Sequence, residues 1–121
     1  MTIAKTTRAS DYSGKYFTKD DVIADGPFDL TITDIDERTF ERRDGSGEQD
    51  LRLVLTFKEH RKQFPLNATN RATLQEAFGD LVYNWIGERI FLKHDPTVTF
   101  AGKRSGGVRI EIPADSKDDA A

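Results

Sequence analysis

Residues 28–57 read FDLTITDIDERTFERRDGSGEQDLRLVLTF, two runs of alternating apolar residues joined by a polar loop. Alternation is the mark of a half-buried β-strand, because successive side chains point to opposite faces. In the second run Leu51, Leu53, Leu55 and Phe57 alternate without a break, the strongest strand signal in the chain. In the first, Phe28, Leu30 and Ile32 share a face, and the phase slips by one at Ile35. Such a slip bends a strand around an extra residue, so the run predicts a long first strand with a bulge. The loop between them, Arg43 to Glu48, is polar and carries Gly45 and Gly47.

After a short turn around Glu59-His60, Phe64 and Leu66 predict a third strand. Pro65 has no N–H to give, which puts that strand at an edge or ends it. The one convincing helix follows. Thr69 or Asn70 is its expected cap, Leu74, Ala77, Phe78 and Leu81 form its apolar stripe, and Gly79 ends it in the left-handed conformation. Trp85 is expected in the core beneath this helix, with Gly87 permitting close approach at the next strand. Ile90 with Leu92, Val98 with Phe100, and Val108 with Ile110 and Ile112 return to alternation, and Pro113 ends the last run. Ahead of the first strand, Tyr16 and Phe17 precede Thr18-Lys19-Asp20-Asp21, where Thr18 caps a single helical turn and Asp21 answers it.

Three strands, a helix, then two or three strands is the order of an OB fold, whose helix lies between strands three and four. A long, bent first strand suits a barrel, since it must pair on both sides of the closure. The expected class is therefore mainly β: a five- to six-stranded OB-type barrel with one helix. The competing arrangement is an open α+β sheet with a helix on its face. The expected layout is a flexible arm over 1–14, a single OB-like domain over 15–113, and a disordered acidic tail over 114–121.

The 121 residues suffice for one domain, and no stretch approaches the roughly 20 apolar residues needed to span a bilayer. There is no cysteine, and the first residues lack a signal-type apolar segment, so a reducing, cytoplasmic setting is expected. The net charge of −3 is unevenly spread. Residues 18–37 set one lysine against seven carboxylates, whereas 38–62 hold seven Lys/Arg against five acids and 88–109 hold five against two. An acidic entry and an acidic tail thus flank two mildly basic segments.

In OB barrels, nucleic acid crosses strands two and three between the loop joining strands one and two and that joining four and five. These loops map to residues 38–50 and 101–107. The first carries Arg38, Arg42 and Arg43 with Phe40 among them, and the second carries Lys103 and Arg104 among glycines. Arg52 and Lys58 lie on the intervening hairpin. Cations attract phosphates and aromatic faces stack bases of any sequence, so the expected ligand is single-stranded DNA or RNA, with Phe40 and Phe91 stacking. Solvated loop arginines and a plain glycine turn are the competing readings, and Phe40 equally fits as cover for an open barrel end. The alternative is a protein-interaction module, motivated by the acidic entry segment and by Val54 and Phe91 as exposed apolar residues. No catalytic constellation is legible, and no cofactor or membrane partner is expected. Asp34, Asp36 and Glu37 lack calcium-loop spacing, and His60 and His94 have no legible partner.

Asp20-Asp21-Val22, Leu66-Asn67 with Thr69-Asn70, Phe78-Gly79, Asn84-Trp85-Ile86-Gly87, Ile90 with Leu92, and Gly102-Lys103 before Val108-Arg109-Ile110 together resemble a family of small phage and prophage proteins. The resemblance covers roughly residues 15–112. It implies a genomic setting and an overall shape rather than a chemistry, and no functional residue is carried over from it. A phage setting points toward replication or recombination of single strands. The acidic tail is loosely similar to those of bacterial single-strand binding proteins but ends in Ala120-Ala121 rather than hydrophobic residues.

Overall fold

The alternating runs of residues 28–57 fold into one antiparallel hairpin, in a computed structural model that describes Lys5 and residues 14–42, 45–100, 102–104 and 106–114. The arm and tail expected at the two ends lie outside the described residues, apart from Lys5, Gly14 and Ala114. Strand β1 (Phe28–Glu41) is fourteen residues long. From Ile32 onward it pairs with β2 (Gln49–Phe57), down to Glu41 opposite Gln49, with a register shift between Ile32 and Asp34. That shift is the predicted bulge. Its first four residues, Phe28 to Thr31, pair instead with β4 (Arg89–Asp95).

Two more strands extend this sheet outward. β3 (Phe64–Pro65) lies beside β2, and β7 (Gly107–Glu111) lies beside β4, giving the order β3-β2-β1-β4-β7. A separate two-stranded ribbon, β5 (Thr99–Phe100) with β6 (Lys103–Arg104), sits in the β4–β7 connection. Helix α1 (Lys19–Asp25) precedes β1, and α2 (Ala68–Phe78) with a 3-10 turn (Val82–Trp85) joins β3 to β4. The protein is therefore mainly β, with two α-helices among the described residues rather than the single one expected.

The sheet does not close into a barrel, because among the described residues no strand pairing joins β3 to β7. Each edge is occupied by something else. Beside β3, Gln63 N–H donates to the Lys15 carbonyl and Phe17 N–H donates to the Gln63 carbonyl, both at 2.9 Å. Two residues on, Pro65 has no N–H. Beside β7, the Asn70 side chain from α2 supplies both partners a strand would. Its Nδ2 donates to the Val108 carbonyl at 3.1 Å, and its Oδ1 accepts the Ile110 N–H at 3.0 Å. Asn70 is 1% exposed.

That use of Asn70 corrects the expected cap. Asn67 caps α2, its side chain accepting the Asn70 N–H at 2.8 Å. The helix stripe is also shorter than expected: Leu74 is buried, while Leu81, beyond the helix end, is exposed. Gly79 has the positive φ expected of a helix terminator, but at φ 98° and ψ 175° it is extended rather than helical. Its carbonyl accepts the Trp85 indole N–H at 2.8 Å, which holds the buried indole under the helix. Gly87 is needed for its φ of 94°, not for close approach, since a Cβ there would meet nothing within 4 Å. Its N–H donates to the Ile32 carbonyl at 2.7 Å.

The core joins Phe17, Leu30, Ile32, Leu55, Phe57, Phe64, Leu66, Leu74, Trp85, Ile90, Leu92 and Ile110. Helix α1 is locked at its start by the predicted capping box, with Thr18 and Asp21 each accepting the other's N–H. It runs seven residues, beyond the single turn expected. It is tied to the β2–β3 connection by the buried Lys62 ammonium, 3.0 Å from the Asp21 carboxylate. No helix among the described residues is long and apolar enough to cross a membrane.

Two stability predictions follow from these contacts. Asn70→Leu fills the space but leaves the Val108 carbonyl and Ile110 N–H unpaired in the interior, which should cost about 2–5 kcal/mol in urea unfolding. For the acid limb, burial pushes Asp21 up, but hydrogen bonds from Thr18 and Lys62 outweigh it and hold the carboxyl below its ordinary 3.8. Burial likewise raises Glu59, and the Thr31 hydroxyl and N–H hold it below its ordinary 4.5. A depressed folded-state pKa stabilises above the unfolded value and is lost as pH falls through the folded one. Urea midpoints should therefore be insensitive to these groups above about pH 5 and fall progressively below it, with Asp21→Asn flattening part of the slope.

Candidate functional site

Beyond the bulge, alternation sends Ile35 toward the core and Asp36, Arg38 and Phe40 to the opposite face. Register puts Val54, Arg52 and Asp50 of β2 directly across from them. Two arginines facing each other repel unless each is engaged, and both are. Arg38 donates to Gln63 Oε1 at 2.6 Å, to the Tyr16 hydroxyl at 3.2 Å and to Asp36 at 3.1 Å. The Tyr16 hydroxyl, with Asp36, raises the Arg38 pKa further above an already high value. Arg52 donates to the Leu66 carbonyl at 2.8 Å and to the Pro65 carbonyl at 3.2 Å.

Aromatic rings fill the space between these cations. The Arg52 guanidinium lies 5.3 Å from the Phe40 ring centroid, and Phe40 lies 5.5 Å from Tyr16 at a tilt of 58°. Lys15 Nζ is 6.0 Å from the Tyr16 ring. A groove of about 660 Å³ opens here, between the segment at 14–19, β3 and Val108 of β7. Lys15, Lys19 and Arg52 line it together with Tyr16, Phe17, Phe40 and Phe64, and no carboxylate is among its described lining residues. Phe17 and Phe64 are buried, so Tyr16 and Phe40, both half-buried, present the accessible ring edges and faces.

Of the residues expected to bind, Arg38, Phe40 and Arg52 are brought together. The others are not. Arg42, at the hairpin tip, pairs with Asp50 at 2.8 Å and Glu48 at 3.0 Å. Arg43 lies outside the described residues, as do the side chains of Lys103 and Arg104 in β6. Lys58 follows β2 at its far end and helps hold Glu59 ionised. Phe91 points away from the core as expected, but it sits opposite Asp29, eleven residues along β1 from Phe40. Arg89, paired with Asp29 at 2.8 Å, lies 5.5 Å from its ring. Register also places the two basic loops at opposite ends of β1: residues 42–48 follow Glu41, whereas β4 runs past Phe28 toward residues 96–106.

Val54, expected to be exposed, is fully buried. It lies between Asp36 and Pro65, on the face of β2 opposite the main core. Tyr16, Lys15 and Lys19 are the site residues sequence reasoning missed. The Tyr16-Phe17 pair before the Thr18 cap was their one signal.

The remaining candidates have structural employment. The His60 ring packs 4.7 Å from Phe17 and 5.6 Å from Phe28, and its Nδ1 accepts the Lys62 N–H at 3.1 Å. His94 crowds Gly106, where any Cβ would lie 2.7 Å from Nε2. Asp34 accepts the Ile35 N–H, Asp36 pairs with Arg38, and no group of three or more metal-ligating side chains occurs among the described residues. No protein-family model, curated protein or solved structure matches the chain.

Arg38→Met keeps the aliphatic stem and removes three hydrogen bonds. With Asp36 half in solvent, the loss should be modest, read as a lower urea midpoint at unchanged slope.

Proposed function

We propose that the chain is a non-catalytic module that binds single-stranded nucleic acid weakly and without sequence preference, in the groove of Lys15, Tyr16, Lys19, Phe40 and Arg52. The observation that carries this reading is the composition of that lining: three cations and two accessible rings, with no carboxylate among the described lining residues. Phosphates are drawn by the cations at long range, and each base offers a π-face to Tyr16 or Phe40. Nothing in such a lining discriminates one base edge from another.

The strand order supports the same reading. The order β3-β2-β1-β4-β7, with α2 between β3 and β4, is compatible with an OB fold whose fifth strand is β7 and whose barrel is left open. On this view the groove lies on the strand-two and strand-three face that OB proteins use for oligonucleotides. The likeness to small phage and prophage proteins adds a setting in which single strands are exposed and must be handled.

The test is fluorescence anisotropy with a labelled thymidine oligonucleotide of about 16 nucleotides. Binding in the tens of micromolar is expected at low salt. With three phosphates neutralised, it should weaken about 20-fold between 50 and 200 mM salt. Phe40→Ala or Arg52→Ala should weaken binding about five- to tenfold, and Lys93→Ala should not. No anisotropy change at hundreds of micromolar protein overturns the reading.

A further inference from the structure

A second groove, of about 650 Å³, adjoins the first and shares Arg52 and Asn67 with it. Its floor is the core-side row of β2 carried past the end of the core. Phe57 and Leu55 are buried and Leu53 packs partly against the core, but Leu51 is 66% exposed. Leu51, Leu53 and Leu66 form the floor, Glu37 of β1 stands on one side, and Arg71 of α2 stands on the other. Neither the Glu37 nor the Arg71 side chain has an ion-pair or hydrogen-bond partner among the described residues. The other two charges at the groove are engaged: Asp50 by Arg42, and Arg52 by the Leu66 and Pro65 carbonyls.

We infer that this groove is the interface of an isologous dimer of the chain. Covering the exposed Leu51 removes apolar surface from water, and one negative wall facing one positive wall is self-complementary. With a two-fold axis lying along the floor, Leu51 meets Leu51 of the second copy. Each Glu37 carboxylate then faces the Arg71 guanidinium of the other, so the same ion pair forms twice. Nucleic acid is the poorer occupant, because Glu37 would repel its phosphates.

Sedimentation equilibrium of the full chain tests this without any oligonucleotide, so its outcome is independent of the nucleic-acid reading. The wild-type chain should reach twice its 13.7 kDa mass as concentration rises. Leu51→Asp should give the monomer mass throughout, with its circular dichroism spectrum unchanged. Glu37→Arg and Arg71→Glu should each weaken the dimer at least tenfold. The first makes both walls positive and the second makes both negative, so mixing the two variants should restore dimers that neither forms alone. A wild-type chain that stays monomeric to several hundred micromolar overturns the inference. So does a dimer indifferent to Leu51→Asp, or a mixture of the two charge variants that fails to associate.

Discussion

One strand serves two neighbours, and the rest of the molecule is arranged around the point where it changes from one to the other. β1 gives Phe28 to Thr31 to β4 and the residues from Ile32 onward to β2. At the changeover every backbone group needs a partner, because the site is interior to the sheet. Glu88 and Gly87 supply partners to the Ile32 N–H and carbonyl, and Lys58 N–H reaches the Thr31 carbonyl. The Glu59 carboxylate takes both the Thr31 N–H and its hydroxyl. The bulge between Ile32 and Asp34 bends the strand there, so its two halves line different parts of one core.

That bend brings β3 and β7 toward each other without joining them. The gap is handled by side chains and by a short stretch of backbone: Asn70 at β7, Lys15–Phe17 at Gln63, and Arg52 on the Pro65 and Leu66 carbonyls. The aromatic and cationic groove is what remains of the gap. Its character follows from who fills it: the segment before α1 and the helix's first residue bring Lys15, Tyr16 and Lys19 to a face where β1 and β2 already hold Phe40 and Arg52.

Much of this was legible in the chain itself where the pattern is local. The Leu51–Phe57 alternation, the phase slip near Ile35, the Thr18–Asp21 box and the edge role of Pro65 each rest on neighbours within a few residues. What was hidden depends on register across the sheet. Alternation shows that Phe40 and Phe91 both leave the core, but not that they sit eleven residues apart along β1. Three polar residues in four could cap α2, and only the position of β7 explains why Asn67 caps while Asn70 turns inward. The docking of Tyr16 beside Gln63 is a parallel bridge between segments far apart in sequence, with no periodic signature. The site was therefore half visible: its strand residues were named, and the arm that completes it was not.

The Asn70 amide has a consequence for how these molecules behave in a crowd. An uncovered strand such as β7 offers a row of N–H and carbonyl groups on which a foreign strand can template, the first step of cross-β aggregation. Asn70 occupies that row at Val108 and Ile110 from within the same chain. On the other flank Pro65 offers no N–H, and Gln63 is already paired. The sheet thus stays unclosed as a barrel yet is blocked against its own polymerisation, and a single buried side chain guards one of its two flanks.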